Sequence, residues 1–429
     1  MRVLIWTFCL FALCCGVALP FVAAAAGHFL SLPRIALFGV APAAIAMLSA
    51  LAMWRGDQAR KLFLAYGVAV GCALLLAETY QWWKLRALHR AAAAEAANDR
   101  GAPLRALGVR AYPPVCGVNL DLRSPALHID GAPVQPVSGL SHNLLTPELA
   151  DHSAWRLTDR YGFNNPPGAW DEAPVNVATV GDSFTFGADV PIGKGFVDRI
   201  RARLGKTINL GCSGNGPLLD LASLAEYGAL ARPRIVLWVF YEGNDLNGDL
   251  ASEQQSPILP RYLSAGFSQG LVGHQREIEK ETIAFLTAML AKAPGASTES
   301  WRTVLHDIAS LQDLRIALGI THRYPGGAVV TLEQTLVRAQ EIASTWGGRL
   351  VFVYLPDQQR YVTLFGRQDA EAYAEPVRAM LRARHIPLID IADTFAHRPD
   401  PGALFHGHYT EEGYRLVGDT IADALEKLH

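Results

Sequence analysis

Four short segments of the 429-residue chain carry groups that can take part in nucleophilic chemistry. Ser183 stands in Gly181-Asp182-Ser183-Phe184-Thr185-Phe186-Gly187. Gly214 stands in Asn209-Leu210-Gly211-Cys212-Ser213-Gly214-Asn215-Gly216, and Asn244 in Tyr241-Glu242-Gly243-Asn244-Asp245. His408 lies in Phe405-His406-Gly407-His408-Tyr409-Thr410-Glu411-Glu412-Gly413. A serine hydroxyl is a poor nucleophile at its own pKa, so an imidazole has to take its proton as it attacks a carbonyl. A serine in a glycine-bordered turn after a strand is placed to expose that hydroxyl at the rim of a sheet. Glycines after a strand let backbone N–H groups approach a bound group. Taken singly, each segment reads more simply as structure: exposed serines and histidines are common, and Asn and Gly after a strand are ordinary turn chemistry. Their order is what raises the signal, because each follows an element of one sheet and all converge on one rim.

The elements that must position them are short. Apolar runs at Val175 to Val180, Thr207 to Leu210, Ile235 to Tyr241, Leu350 to Leu355 and Pro387 to Ile391 read as strands. Helical patterns alternate with them, among them Pro217 to Leu230, Leu332 to Trp346 and Ala370 to Arg384. This alternation implies an α/β domain, a doubly wound parallel sheet with helices on both faces. Ligands of such sheets sit outside the carboxyl ends of the strands, which is where the four segments fall. Thr410 is placed to cap the last helix, with two acids in its first turn. A largely helical insertion over residues 250–327 interrupts the rhythm and reads as a lid, a contact surface or an inert elaboration.

The four segments resemble, in chain order, the four motif blocks of the SGNH (GDSL-like) hydrolases. The resemblance covers about residues 175–429; GDSFTFG and YEGNDL are the specific blocks, and the other two are looser. It implies an esterase without a cofactor in which Ser183 is the nucleophile and His408 the general base. It also implies an oxyanion hole built from the N–H groups of Ser183 and Gly214 and the side-chain amide of Asn244. One departure stands out. The family places an aspartate two or three residues before the base, where this chain has His406 and Phe405. Asp400, on the same loop, is one candidate for the orienting acid; a Ser-His dyad whose ring is held by a backbone carbonyl is the other. His406 reads as a rim residue.

The N-terminal part reads differently. Val3 to Gly27 and Ile35 to Trp54 are free of charge, and the first is long enough to cross a hydrocarbon core about 30 Å thick. A third run, Leu62 to Ala77, is extended past Glu78 by Thr79, Tyr80, Gln81, Trp82 and Trp83, residues suited to the headgroup layer. The expectation is three transmembrane helices in residues 1–84, a linker helix and irregular extension over 85–174, and the hydrolase-like domain over 175–429. A cleaved secretory signal is the alternative for the first run, given Arg2 and the small residues Ala23 to Ala26. Either way Arg55, Arg60 and Lys61 fall in a cytoplasmic loop and the C-terminal domain outside, although Lys84, Arg86 and Arg90 weaken the charge asymmetry.

Lys and Arg (38) and Asp and Glu (40) nearly cancel, which removes any global electrostatic reason to bind nucleic acid. Gly187 to Lys194 has one residue too many for a P-loop, and no G-x-G-x-x-G follows a strand, so nucleotide binding is a poor reading. The six cysteines show no zinc spacing; Cys116 and Cys212 either pair in an oxidising compartment or are unrelated thiols. Trp238 reads as core, Glu242 as a solvated strand-end acid, and Tyr161 and Phe163 as residues of a turn that packs them against the sheet edge. The functional expectation is a membrane-anchored serine esterase acting on O-acetyl groups, its substrate an acylated carbohydrate of the cell envelope. An O-acyltransferase on the same polysaccharide and a non-catalytic assembly or carbohydrate-binding component are the alternatives.

Overall fold

The computed structural model describes the chain except residues 1, 4, 8, 11, 15–39, 97–98, 114–121, 124–126, 146–154, 292–300, 318–327, 364–365 and 428–429. It divides into two compact units. One comprises 1–92, 296–326 and 359–373, and the other 93–295, 327–358 and 374–429.

The second unit is built on a five-stranded parallel sheet with β1 (Val177–Val180), β2 (Thr207–Asn209), β3 (Ile235–Tyr241), β4 (Arg349–Leu355) and β5 (Leu388–Asp390) in the order β2-β1-β3-β4-β5. Val177 of β1 pairs with Thr207 on one side and Ile235 on the other, and β3 to β4 run in register from Ile235 opposite Arg349 to Tyr241 opposite Leu355. Every residue of β1 and the first six of β3 are buried. A sheet covered on both faces leaves no room for alternation, which is why these strands read as unbroken apolar runs. Fully burying side chains such as Phe240 and Phe352 contributes roughly 1.5–3 kcal/mol each.

The chain moves one way from β1 to β2 and back across β1 to β3. Right-handed crossovers therefore place α1 (Phe196–Leu204) and α2 (Pro217–Ala231) on opposite faces. α1 packs against α5 (Glu411–Glu426), and α2 against α3 (Ala328–Ser344); α4 (Gly366–Ala383) connects β4 to β5. The reversal between β1 and β3 is the topological switch point, where the loops leaving adjacent strands part and open a crevice.

The described residues between 99 and 175 include short strands. Two small hairpins pair Leu127–Ile129 with Ala132–Val134, and Leu144–Leu145 with Arg156–Leu157. Beyond them the buried carboxylate of Asp159 accepts from the N–H groups of Tyr161 (2.8 Å) and Phe163 (3.0 Å), from Asn165 Nδ2 (2.8 Å) and from Trp170 Nε1 (2.6 Å). Tyr161 and Phe163, expected against the sheet edge, pack instead edge-on to Tyr227 of α2. Cys212 is disulfide-bonded. Cys116, the partner in one of the two readings of the sequence, lies outside the described residues.

In the other unit, helix Ala41–Arg55 ends at Gly56, whose φ of 99° a side chain would strain, and helix Asp57–Ala96 follows. Its stretch Asp57–Ala87 is, among the described residues, the one helix long and apolar enough to cross a membrane. The apolar helices Ile5–Cys14 and Ala41–Arg55 are shorter, and residues 15–27 and 35–39 of the first two apolar runs are outside the described residues. The third run and the linker helix prove to be continuous. Glu78 interrupts the hydropathy but not the helix, because its fully buried carboxylate accepts from the N–H groups of Asp313 (3.0 Å) and Leu314 (2.7 Å) in the first turn of helix Gln312–Ala317. The insertion is therefore not one element, since residues 301–317 belong with the apolar helices and residues 250–290 with the sheet.

Candidate active site

The site is assembled at the carboxyl ends of β1, β2 and β3. After β1 the chain makes a single turn of helix, Ser183–Phe186, whose N-cap Asp182 accepts the Phe184 N–H at 2.9 Å. Gly181 enters this turn with φ 152°, and a Cβ there would sit 2.9 Å from the Val239 carbonyl oxygen and closer still to Thr185 Oγ1. Only glycine lets β1 turn this tightly beside β3, and the turn leaves Ser183 half-exposed between buried neighbours.

The β2 loop is fastened to the first. Cys212 N–H donates to the Gly181 carbonyl at 3.0 Å, and Asn209 bonds the Gly211 N–H and the Thr185 carbonyl at 2.8 Å each. Beyond Gly214 the buried Glu253 carboxylate accepts from the N–H groups of Gly216 (2.7 Å), Leu218 (2.8 Å) and Leu219 (3.2 Å), so it holds the start of α2. After β3, the Asp245 carboxylate accepts the Tyr241 N–H at 3.0 Å and closes the turn that carries Asn244. Because β1 lies between β2 and β3, Ser183, Gly214 and Asn244 are carried on neighbouring loops at one edge of the sheet.

His408 comes from the far end of the chain, on the two-residue arm of a hairpin that pairs Phe405–His406 with His408–Tyr409. Tyr409 ties the hairpin to the sheet, its hydroxyl donating to the Pro356 carbonyl at 2.9 Å just past β4. Thr410 caps α5 as expected, accepting the Gly413 N–H at 3.3 Å. Phe184 meets the imidazole edge-on, with centroids 4.8 Å apart. The ring is thereby aimed. Nε2 stands 2.7 Å from Ser183 Oγ, and Nδ1 stands 2.6 Å from Oδ2 of Asp189.

Asp189 is the residue that sequence reasoning missed. It belongs to the loop after the Ser183 turn, with φ 60°, and its carboxylate and the imidazole are about one-fifth and one-quarter exposed. Asp400 is instead the N-cap of the short 3-10 turn Pro401–Leu404, accepting the Ala403 N–H at 3.3 Å. Its carboxylate caps its own loop, and the position beside Nδ1 is taken by the carboxylate of Asp189. A carboxylate also stands where the dyad alternative placed a backbone carbonyl. One signal was available: between Ser183 and Asp198 the chain contains a single acid, six residues after the serine.

His406 is exposed, as a rim residue should be, and Trp238 is fully buried. Glu242 departs from expectation. It is 2% exposed and accepts from the Tyr354 hydroxyl (2.8 Å) and the Asp357 N–H (2.9 Å), so it braces β3 against β4 in place of meeting solvent.

The electrostatics behind the serine follow from burial. Loss of solvent pushes the Asp182 carboxyl up to about 6, against the opposing pull of the Phe184 N–H and of His408 nearby. The same cause, reinforced by Asp182, holds Asp245 well above the ordinary carboxylate range. An arrangement with a hydroxyl on one imidazole nitrogen, a carboxylate on the other and loop donors alongside can take a proton from the hydroxyl as it attacks a carbonyl carbon. Among the described residues no cluster of three or more His, Cys, Asp or Glu side chains has the arrangement of a metal site.

No curated protein matches the chain. Among solved structures it is similar to a lipolytic protein of the G-D-S-L family from Veillonella parvula, at 16% identity over 59% of this chain and 98% of that one, with a TM-score of 0.32. A putative lipolytic protein of the same family from Desulfitobacterium hafniense matches at 15% identity over 58% and 98%, with a TM-score of 0.32. The carbohydrate acetylesterase Est24 from Sinorhizobium meliloti matches at 12% identity over 59% and 100%, also at 0.32. The GDSL-like lipase/acylhydrolase family model matches residues 179–416, more than half of the sequence, from within β1 to within α5. The chain belongs to the GDSL-like lipase/acylhydrolase family.

Proposed function

We propose that the protein is a serine esterase that removes O-acyl groups, acetyl foremost, from carbohydrate of the cell envelope, with Ser183 as nucleophile, His408 as general base and Asp189 as the acid that orients it. The observation that carries this reading is the His408 ring, placed 2.7 Å from the Ser183 hydroxyl and 2.6 Å from the Asp189 carboxylate. In the reaction Ser183 Oγ bonds to the ester carbonyl carbon as its proton passes to His408 Nε2. The carbonyl oxygen takes up the negative charge, facing the N–H groups of Ser183 and Gly214 and the Asn244 amide. Collapse of this intermediate breaks the bond to the alcohol oxygen, which leaves with the proton from Nε2 and yields an acyl-serine. Water, deprotonated by the same nitrogen, then attacks the acyl carbon, releases the acid and restores Ser183. Asp189 keeps the Nδ1 proton in place and offsets the charge on the ring while it is protonated.

Two features support an anchored, extracytoplasmic setting. The chain has an apolar helix over Asp57–Ala87, and Cys212 is disulfide-bonded, a state favoured in oxidising compartments. The test is release of acetate from acetylated envelope polysaccharide by the full-length protein, alongside Ser183→Ala, with and without an unacetylated oligosaccharide acceptor. Acetate released by the wild type alone, and no acetylated acceptor, is the expected result. Accumulation of acetylated acceptor would make the protein a transferase, and equal activity in the serine variant would remove the mechanism.

A further inference from the structure

The loop that carries Asp189 is held in large part from outside the family-matched region. Four of its carbonyl oxygens, those of Phe186, Gly187, Ala188 and Val190, are taken by side chains from distant parts of the chain. Arg156 donates to three of them: Nη1 to Phe186 at 3.3 Å, and Nη2 to both Gly187 and Val190. Asn164 Nδ2 donates to the Phe186 carbonyl at 2.6 Å, and the Tyr414 hydroxyl to that of Ala188 at 3.1 Å. Arg156 and Asn164 precede residue 179, where the family match begins.

The backbone at Asp189 explains why such a grip is needed. Its φ of 60° is in the left-handed region, which residues other than glycine adopt at an energetic cost. A loop in this state relaxes unless its surroundings over-determine it. The carbonyls on both sides of Asp189 are fixed, and the carboxylate is thereby presented to His408 Nδ1. The Arg156 side chain is suited to this task. Its planar guanidinium carries fixed donors that reach carbonyls before and after the acid at once, and at 4% exposure the residue's charge makes those bonds stronger than neutral ones would be. The guanidinium carbon also lies over the Phe186 ring, 5.6 Å from the ring centroid.

We propose that Arg156 is a positioning residue for the catalytic acid: it fixes the 186–190 loop so that Asp189 holds His408, which makes the segment before the hydrolase domain part of the active-site architecture. This rests on the esterase reading above, and the experiment separates the two. In full-length protein, the rate at which a fluorophosphonate labels Ser183 is measured for wild type, Arg156→Ala, Arg156→Lys, Asp189→Ala and the Arg156→Ala/Asp189→Ala double variant, together with kcat and KM on p-nitrophenyl acetate. Arg156→Ala is expected to lower labelling and kcat about 10- to 100-fold with KM within about twofold, as for a displaced group that acts only in the transition state. In the Asp189→Ala background the same substitution is expected to change neither rate by more than about twofold, because the residue it serves is gone. Arg156→Lys, which restores charge and a donor but not the fork, is expected to fall between. Full additivity of the two substitutions, or a wild-type rate in folded Arg156→Ala, overturns the proposal and leaves the esterase reading standing; where Arg156→Ala does not fold, a wild-type rate in Arg156→Lys does the same. Failure of the fluorophosphonate to label wild-type Ser183 overturns the esterase reading itself, and this proposal with it.

Discussion

The two sides of the His408 ring are built by different means. On the Nε2 side, Ser183 and its neighbours on the β2 and β3 loops are placed by the sheet. Each lies within a few residues of a strand whose neighbours, register and burial fix where it ends. On the Nδ1 side, Asp189 is in a loop with a left-handed backbone whose carbonyls are held by Arg156, Asn164 and Tyr414. One side inherits its geometry from the core; the other depends on side chains more than 20 positions away in sequence. Groups placed by a core should tolerate changes around them, whereas a group placed by a few long side chains should be lost when one of these goes.

The comparison can be broken at either side. The largest effect is expected from Ser183→Ala or His408→Ala, each lowering kcat by about 10⁴- to 10⁶-fold in p-nitrophenyl acetate hydrolysis without loss of the folded state by circular dichroism. Asp189→Asn keeps the shape but not the charge, and is expected to cost about 10²- to 10⁴-fold in the same assay. Asn244→Ala removes one proposed oxyanion donor, for an expected loss of about 10²- to 10³-fold in kcat. Asp400→Asn is expected to change kcat by less than about twofold, since the asparagine oxygen can still cap its short turn.

A further expectation concerns stability. Burial raises the carboxyls of Asp182 to about 6, Glu253 to about 7 and Asp249, which also feels Glu253, to about 8. An acid whose pKa is raised on folding binds its proton more tightly in the native state, so the stability it contributes is present below the unfolded value near 4 and is lost as pH rises through the folded value. The melting temperature should therefore fall by at least a few degrees between about pH 5.5 and 8.5. Glu253→Gln should make that fall shallower, as read by differential scanning fluorimetry across the range. A melting temperature that rises over this window would show that these acids are ionised at little cost.

The placement of each group explains how much of it could be read beforehand. β3 is legible to the residue, because Ile235–Tyr241 is an unbroken apolar run of a strand covered on both faces. β1 and β5 start later than the apolar runs suggest, at Val177 and Leu388, since hydropathy does not register where ladder pairing begins. The positions of Ser183, Gly214, Asn244 and His408 at element boundaries are legible because local pattern marks where strands end and a helix begins, while the roles proposed for them come from the family resemblance. Asp189 is not legible, because its role depends on a hydrogen bond across 219 positions and on a backbone state that nothing in Gly187-Ala188-Asp189-Val190 announces. Glu242 misled for a related reason. An acid at a strand end is ordinarily solvated, and only the pairing of β3 with β4 brings the Tyr354 hydroxyl to it. Glu78 shows the same limit in the apolar region, where its carboxylate is matched by the N–H groups of a helix that begins more than 230 positions later.

The most direct test of the proposed Ser183–His408–Asp189 unit is to react the full-length protein with a fluorophosphonate, locate the adduct by peptide mass spectrometry, and compare the labelling rates of wild type, Asp189→Asn and Asp400→Asn. The account predicts an adduct on Ser183, a rate about 100-fold or more lower in Asp189→Asn, and a wild-type rate in Asp400→Asn. An adduct elsewhere, or slow labelling in Asp400→Asn with a wild-type rate in Asp189→Asn, would contradict it.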